Sequence, residues 1–282
     1  MKKNLTAHLI ADSVYRALPG LACDLPVDIL AALERAHHRE ENFLAREVLR
    51  QLVENARIAS EDRVPLCQDT GTVWVCLEIG PDICIAGDVF SGVNDAVARA
   101  YQEANLRKSV VRDALFDRDN TGDNTPAFCE IHPVDEVGAA RLHIMLKGGG
   151  SDNASRVVML TPGAGMSGVV DEVLACVRAK AANACPPLLI GVGVGATFDK
   201  VGGLAKQALL RPIDVKACDE RTAAFESELL QAVNATGIGA GALGGSTTAL
   251  AVKVNTAPCH IAALPLAINM GCSAMRRTTL EL

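Results

Sequence analysis

Apolar residues in the first sixty positions recur at helical spacing. Leu9, Ile10, Val14 and Leu18 fall on one stripe, and Phe43, Val48, Leu49, Leu52 and Val53 repeat it between charged positions, which predicts a helical opening over residues 5 to about 60. The period then changes. Val73, Val75, Leu77 and Ile79 alternate with Trp74, Cys76 and Glu78, the twofold pattern of a strand, so Cys67-Gln68-Asp69-Thr70-Gly71 lies at a strand's entrance. Ser91 is placed to cap a helix that carries Val93, Val97 and Ala100 and ends near Leu106-Arg107-Lys108. Asn120-Thr121-Gly122-Asp123-Asn124-Thr125-Pro126 is a dense turn cluster, and Leu142, Ile144 and Leu146 mark a strand that runs into Lys147-Gly148-Gly149-Gly150-Ser151.

The second half continues in the same mixed manner. Gly165 to Gly168 precede a helix with Val169, Val173, Leu174 and Val177, which Cys185-Pro186-Pro187 stops. Leu188 to Val194 reads as a buried strand, Asp199 to Leu210 and Thr222 to Val233 as helices. Strands through Leu250, Val252 and Val254, then Leu264, Leu266 and Ile268, close the chain before Cys272. No clean βαβ repeat emerges, so the expected fold class is mixed α/β (α+β): a helical amino-terminal region followed by a two-lobed helix-strand domain. Residues 1–282 are expected to form a single catalytic domain, with the turn-rich stretch around 151–168 dividing its lobes.

Composition narrows the function classes. At 282 residues and 49% hydrophobic content the chain can bury a large core, and a net charge of -6 with scattered charges leaves no basic footprint for nucleic acid. With only 3% aromatic residues it also lacks base-stacking surfaces. There is no signal-type core at the amino terminus and no apolar run of the roughly 20 residues that span a bilayer. The expectation is a cytoplasmic protein whose ten cysteines are thiols or metal ligands rather than disulfides.

Seven of those cysteines, Cys23, Cys76, Cys84, Cys129, Cys176, Cys218 and Cys259, sit in apolar or nondescript contexts and read as small hydrophobes. Cys67, Cys185 and Cys272 differ, because each has Gly or Pro close by and lies at the edge of an element. No Cys-x-x-Cys pair is present, which argues against a zinc ribbon or ferredoxin-type cluster. Three thiolates gathered from separate loops would leave one coordination position open, the condition for Lewis-acid catalysis. Asp69 would then stand beside the ligand Cys67, placed for proton transfer or for orienting water.

Other motifs carry two readings each. Gly191-Val192-Gly193-Val194-Gly195 and Gly237-Ile238-Gly239-Ala240-Gly241 lack the spacing of dinucleotide and phosphate loops, and close backbone packing is the plainer account. The Lys147–Ser151 run is either an amide nest for a carboxylate or a plain turn. Arg107 is either a surface residue or a carboxylate anchor. His260 opens an apolar strand, where a lone histidine is commonly a satisfied core residue.

Taken in order, Cys67-Gln68-Asp69-Thr70-Gly71, Leu106-Arg107-Lys108-Ser109, Asn120–Thr125, Lys147–Ser151, Cys185-Pro186-Pro187, Gly244-Gly245-Ser246-Thr247-Thr248-Ala249-Leu250 and His260-Ile261-Ala262 to Cys272 resemble the alpha component of class I, iron-sulfur fumarate hydratases and the related tartrate dehydratases. The resemblance spans nearly the whole chain. It implies a [4Fe-4S] cluster on Cys67, Cys185 and Cys272, a dicarboxylate substrate contacted by Gln68, Arg107 and the Gly150 amide, and catalytic roles for Asp69 and His260. It further implies a beta subunit, in an α2β2 heteromer, that completes the site. Hydration of fumarate to (S)-malate is the expected reaction, with L(+)-tartrate dehydratase or mesaconase as the alternative. A non-catalytic iron-sulfur sensor is disfavoured by the retained Gln68, Asp69, Arg107 and His260, since a sensor needs no carboxylate clamp.

Overall fold

The computed structural model describes residues 3–282. In chain order the elements of the first half are β1 Lys3–Leu5, α1 Ala7–Cys23, α2 Val27–Arg39, α3 Phe43–Asp62, β2 Thr72–Ile79, β3 Ile83–Ile85, α4 Val93–Glu103, β4 Phe128–Pro133 and β5 Ala140–Lys147. They continue with α5 Gly149–Asn153, β6 Arg156–Leu160, α6 Gly165–Lys180, β7 Leu188–Ala196, α7 Val201–Ala208, α8 Glu220–Asn234, β8 Ala249–Cys259, β9 Leu264–Gly271 and β10 Arg276–Glu281. Helices and mixed sheets thus alternate as the hydrophobic pattern predicts. No described helix is long and apolar enough to cross a membrane.

Two compact units form. The first takes the chain up to Pro26, Ala56–Gly149 and Arg276–Leu282; the second takes Val27–Asn55 and Gly150–Met275. In the first unit four strands lie in the order β10-β5-β2-β4, with β10 and β2 antiparallel to β5 and β4 added parallel at the edge. Val73, Val75 and Leu77 of β2 and Leu142, Ile144 and Leu146 of β5 share one face. They bury it with Ile10, Val14 and Leu18 of α1 and Val93, Val97 and Ala100 of α4. Each such side chain contributes about 1.5–3 kcal/mol of transfer free energy, so the period-2 stripe is what fixes this sheet's orientation.

Two local expectations fail here. Ser91 does not cap α4; Gly92, in the left-handed region at φ 89°, takes the N-cap position without a side-chain bond. The helix also stops earlier than its apolar spacing implies. Asn105 turns left-handed at φ 52°, its amide bonds the Gln102 carbonyl, and the Leu106 amide bonds the Tyr101 carbonyl at 2.9 Å. That double closure is a Schellman ending, and it releases Arg107 from the helix into a loop.

The second unit holds the sheet β6-β9-β7-β8, with β9 antiparallel to β6 and β7, and β8 parallel to β7. Its apolar face, including Ile190, Val192, Val254, Leu266, Ile268 and Met270, packs with Val169, Val173 and Val177 of α6 and Leu229 and Val233 of α8. The helix α6 begins at Gly165, inside the glycine cluster expected to precede it. On the other face Gly191 and Gly193 admit α7. A Cβ at Gly191 would stand 2.2 Å from the Ala205 carbonyl oxygen, and one at Gly193 2.6 Å from that of Val201. Gly191 and Gly193 are therefore a helix seat, and Gly195 meets the Ala257 backbone of β8, close packing throughout as the plainer account anticipated.

Candidate active site

In the first unit three loops meet at the Asp69 carboxylate and a fourth braces them. Its Oδ1 accepts from the Gly71 amide at 3.0 Å and from Ser109 Oγ at 3.5 Å, and its Oδ2 accepts from the Gly149 amide at 2.8 Å. Both oxygens are thereby fixed before any substrate arrives. Gly71 makes the approach possible: at φ 81° it lies so close to β5 that a Cβ would meet the Lys147 carbonyl at 2.7 Å. The Gly71 carbonyl in turn accepts from Asn124 Nδ2 at 3.1 Å, while Asn124 Oδ1 accepts from the Ser109 amide at 2.7 Å. A fully buried Asn124 thus ties the 120–125 turn cluster to both other loops.

Cys67, half-buried, precedes this carboxylate, and its thiol donates to Gln68 Oε1 at 3.6 Å. Arg107 is exposed. Its Nη1 donates to the Gln68 carbonyl at 3.4 Å, and among the described residues it forms no ion pair, so the guanidinium fork is left for an anion. Thr70 Oγ1 donates to the Arg107 carbonyl and locks the two loops together. Cys67, Gln68, Asp69 and Arg107 are therefore one constellation, as their motifs implied.

Two residues of this constellation escaped the sequence. Tyr101, wholly buried on α4, donates its hydroxyl to the Thr70 carbonyl at 3.2 Å, and burial pushes its phenol up to about 12. It is a neutral donor holding the loop. Arg276, only 1% exposed, donates from Nη2 to the Asp69 carbonyl at 2.7 Å, while its Nε and Nη1 have no hydrogen-bond partner among the described residues. A buried cation with spare donors calls for an anion nearby. The one available signal was the Arg276-Arg277 pair directly after the Cys272 segment.

In the second unit Cys185 and Cys272 come together. Cys185 is exposed in the left-handed region at φ 55°, just ahead of β7, and Cys272 follows β9. Because β7 and β9 are antiparallel, with Leu189 opposite Gly271, both cysteines leave the same end of the sheet, and the Ser273 amide donates to the Cys185 carbonyl at 3.1 Å. Pro186 holds the turn from the other side, its carbonyl accepting from the Gly241 amide at 2.9 Å. Gly150 begins this unit's second segment, and a Cβ there would come to 3.3 Å from the Asn183 carbonyl oxygen.

The Gly244–Leu250 motif braces the same unit. Burial opposes ionisation of Glu40, but amides of Asn42 and Ser246 and the Ser246 hydroxyl hold its carboxyl below the usual range. It pins the loop to α2's end.

His260 is not brought to this end of the sheet. It lies exposed in the turn between β8 and β9, where its Nδ1 accepts from the Ala262 amide at 3.1 Å, so a neutral ring carries its proton on Nε2. Expected to open a strand, it instead follows one. The eight residues of β9 lie between it and Cys272, about 26 Å of strand at about 3.3 Å per residue.

The thiols divide by environment. Burial pushes up the thiols of Cys23, Cys76, Cys129 and Cys176, which keeps them protonated. Cys67, Cys185 and Cys272 are at least partly accessible and sit on turns. Within the second unit Cys185 and Cys272 are two accessible thiols at one end of a sheet, a donor pair that suits the iron of an iron-sulfur cluster; within the first, Cys67 is an accessible thiol on the loop that Arg276 braces.

Comparison with known proteins shows the family. A family profile described as "Fumarate hydratase (Fumerase)" matches residues 11–281. A Methanocaldococcus jannaschii protein bearing the provisional name L(+)-tartrate dehydratase subunit alpha is 38% identical over 274 residues, covering 95% of each chain. The L(+)-tartrate dehydratase subunit alpha of Escherichia coli K12 is 30% identical over 281 residues, covering 99% of this chain and 92% of that protein. The counterpart in Escherichia coli UTI89 is also 30% identical, with the same coverage.

Proposed function

Because the chain belongs to the fumarate hydratase family, as an alpha-type iron-sulfur hydro-lyase, we propose that it reversibly hydrates fumarate to (S)-malate. The observation that carries the reading is the Asp69 carboxylate, gripped by the Gly71 and Gly149 amides beside Cys67 and an Arg107 without an acidic partner. A fixed carboxylate next to an anion fork is what elimination from a hydroxy dicarboxylate requires.

In this reading Cys67, Cys185 and Cys272 hold a [4Fe-4S] cluster. When bound, the cluster supplies an electrophile, at an iron without a cysteine ligand, that makes the departing hydroxyl a tolerable leaving group. The protein does the rest. Arg107 takes one substrate carboxylate through two parallel N–H bonds, Gln68 offers its amide, and the Gly150 amide donates to a carboxylate oxygen. Asp69 exchanges a proton with the substrate, its two oxygens held so that no reorientation is needed during the reaction. His260 is too far along β9 to serve the centre built on Cys272 of its own chain. We assign it to the substrate of a second alpha copy.

The relatives' names specify an alpha subunit, which supports a beta partner for this chain, with cationic groups of that partner completing the substrate pocket. A cytoplasmic location accords with the thiol-rich composition. A second reading, dehydration of L(+)-tartrate, draws on those same names. Steady-state kinetics of the anaerobic alpha-beta complex on (S)-malate, L(+)-tartrate and citramalate decide between them. The proposal expects the highest kcat/KM on malate; a tenfold preference for tartrate overturns the choice of substrate.

A further inference from the structure

A second group of metal-ligand residues stands in the first unit, apart from the three turn cysteines. On the face of the β10-β5-β2-β4 sheet opposite the apolar stripe, Cys76 of β2 lies directly across from Glu130 of β4, and His132 follows Glu130 by one pleat repeat. One ligand atom from each, the Cys76 sulfur, a Glu130 carboxylate oxygen and a His132 ring nitrogen, all lie within 4.8 Å of one another. His132 Nε2 is 3.5 Å from Glu130 Oε2. We propose that Cys76, Glu130 and His132 form a binding site for a divalent transition-metal ion of zinc's class, which fastens the edge strand β4 to β2.

The donor set decides the ion. A thiolate, an imidazole and a carboxylate are the three ligand types that zinc accepts at about 2.0–2.3 Å, and they leave the fourth tetrahedral position for water. Calcium and magnesium, which take oxygen ligands, are excluded by the sulfur and nitrogen. Glu130 and His132 lie half-exposed on an edge strand, next to the buried Cys76 sulfur that an ion would draw them toward. Binding releases the Cys76 thiol proton to water.

Burial and the charges of Glu130 and Glu78 push the Cys76 thiol up, so in the metal-free protein the site keeps its proton. The nearby cation, Arg141, is already committed to Glu78 at 2.8 Å and Glu136 at 2.7 Å. On the third strand His143 faces Cys76 in register, but it is held by Thr279 Oγ1 at 2.8 Å on Nδ1 and lies 3.2 Å from Glu78 on Nε2. It therefore borders the site without being counted as a ligand. An ion here would join two strands that are parallel neighbours, a pairing made across 48 residues of intervening chain from Ile79 to Phe128.

Cobalt(II) titration tests the proposal. The full-length chain carrying Cys67→Ser, Cys185→Ser and Cys272→Ser removes the turn thiols, so any thiolate signal must come from elsewhere. The expected result is one Co2+ per chain with a sulfur-to-cobalt charge-transfer band. Adding Cys76→Ser should abolish the band, and adding His132→Ala should weaken binding at least tenfold. His132 is the safer variant for folding, since its side chain is 34% exposed. In the cluster-loaded wild-type complex, equilibration with zinc should leave one tightly held zinc per chain and raise Tm by about 5 °C at a hundredfold excess over Kd. His132→Ala should lose both. No thiolate band with Cys76 intact, or zinc retention indifferent to His132→Ala, overturns the site.

Discussion

Asp69 shows how much of a reactive carboxylate is made by backbone. Its oxygens are occupied by the Gly71 and Gly149 amides and its own carbonyl by the Arg276 guanidinium, so the side chain has one orientation rather than a choice of rotamers. Asp69→Asn keeps the size but cannot accept or return a proton, and its amide would point donors at donors. Activity of the alpha-beta complex is expected to fall about 10²–10⁴-fold in kcat, with the brown cluster absorption retained. Loss of activity in step with loss of iron would mean that Asp69 acts through the cluster site and not on substrate. The sequence made Asp69 visible through its neighbour Cys67 and the Gly71 turn. It could not show Tyr101 or Arg276, whose partners are backbone carbonyls and leave no residue pattern to read.

At the scale of elements, legibility followed periodicity. Strands β2 and β5 and helices α1 and α8 announced themselves because aliphatic residues recur on one face at the period of the element. Strand β10, Arg276-Arg277-Thr278-Thr279-Leu280-Glu281, did not, because its inward positions include Arg276, whose guanidinium bonds the Asp69 loop. Strand β4 was hidden for a related reason: Glu130 and His132 alternate with Cys129 and Ile131 on an edge, where neither face is deeply buried. The same polar sheet face has a pH consequence. The His143 ring 3.2 Å away, together with the Arg141 guanidinium, holds the Glu78 carboxyl at about 2 against an ordinary 4.5. A depressed folded-state value means that the stabilisation is full above about pH 4.5 and is lost as pH falls toward 2. Urea midpoints of the wild type should therefore drop more steeply between pH 5 and 2.5 than those of Glu78→Gln. Parallel declines would show that this pair does not govern acid stability.

For the whole molecule, the informative fact is that neighbouring functional residues come from distant sequence. Cys185 and Cys272 meet because β7 and β9 are antiparallel in a register that sets Leu189 against Gly271, and no local motif spells that pairing. The length of β9 carries His260 to the other end of the strand from Cys272, and on that placement rests our proposal that it serves another copy. Mixed assemblies test this directly. Complexes of His260→Ala chains and of Asp69→Asn chains should each be inactive, and co-assembly of the two alpha variants should restore about a quarter to a half of wild-type activity per site by pairing intact residues across copies. No restoration would return His260 to a role within its own chain.

The central claim is that three turn cysteines carry a catalytic [4Fe-4S] cluster with one iron left without a thiolate. Iron and sulfide analysis of anaerobically reconstituted full-length chain, joined to Mössbauer spectroscopy, measures it most directly. About four irons and four sulfides per chain are expected, with one iron site distinct from the other three, and Cys67→Ser, Cys185→Ser and Cys272→Ser should each lose the cluster. Variants that all take up the same cluster as the wild type would contradict the account.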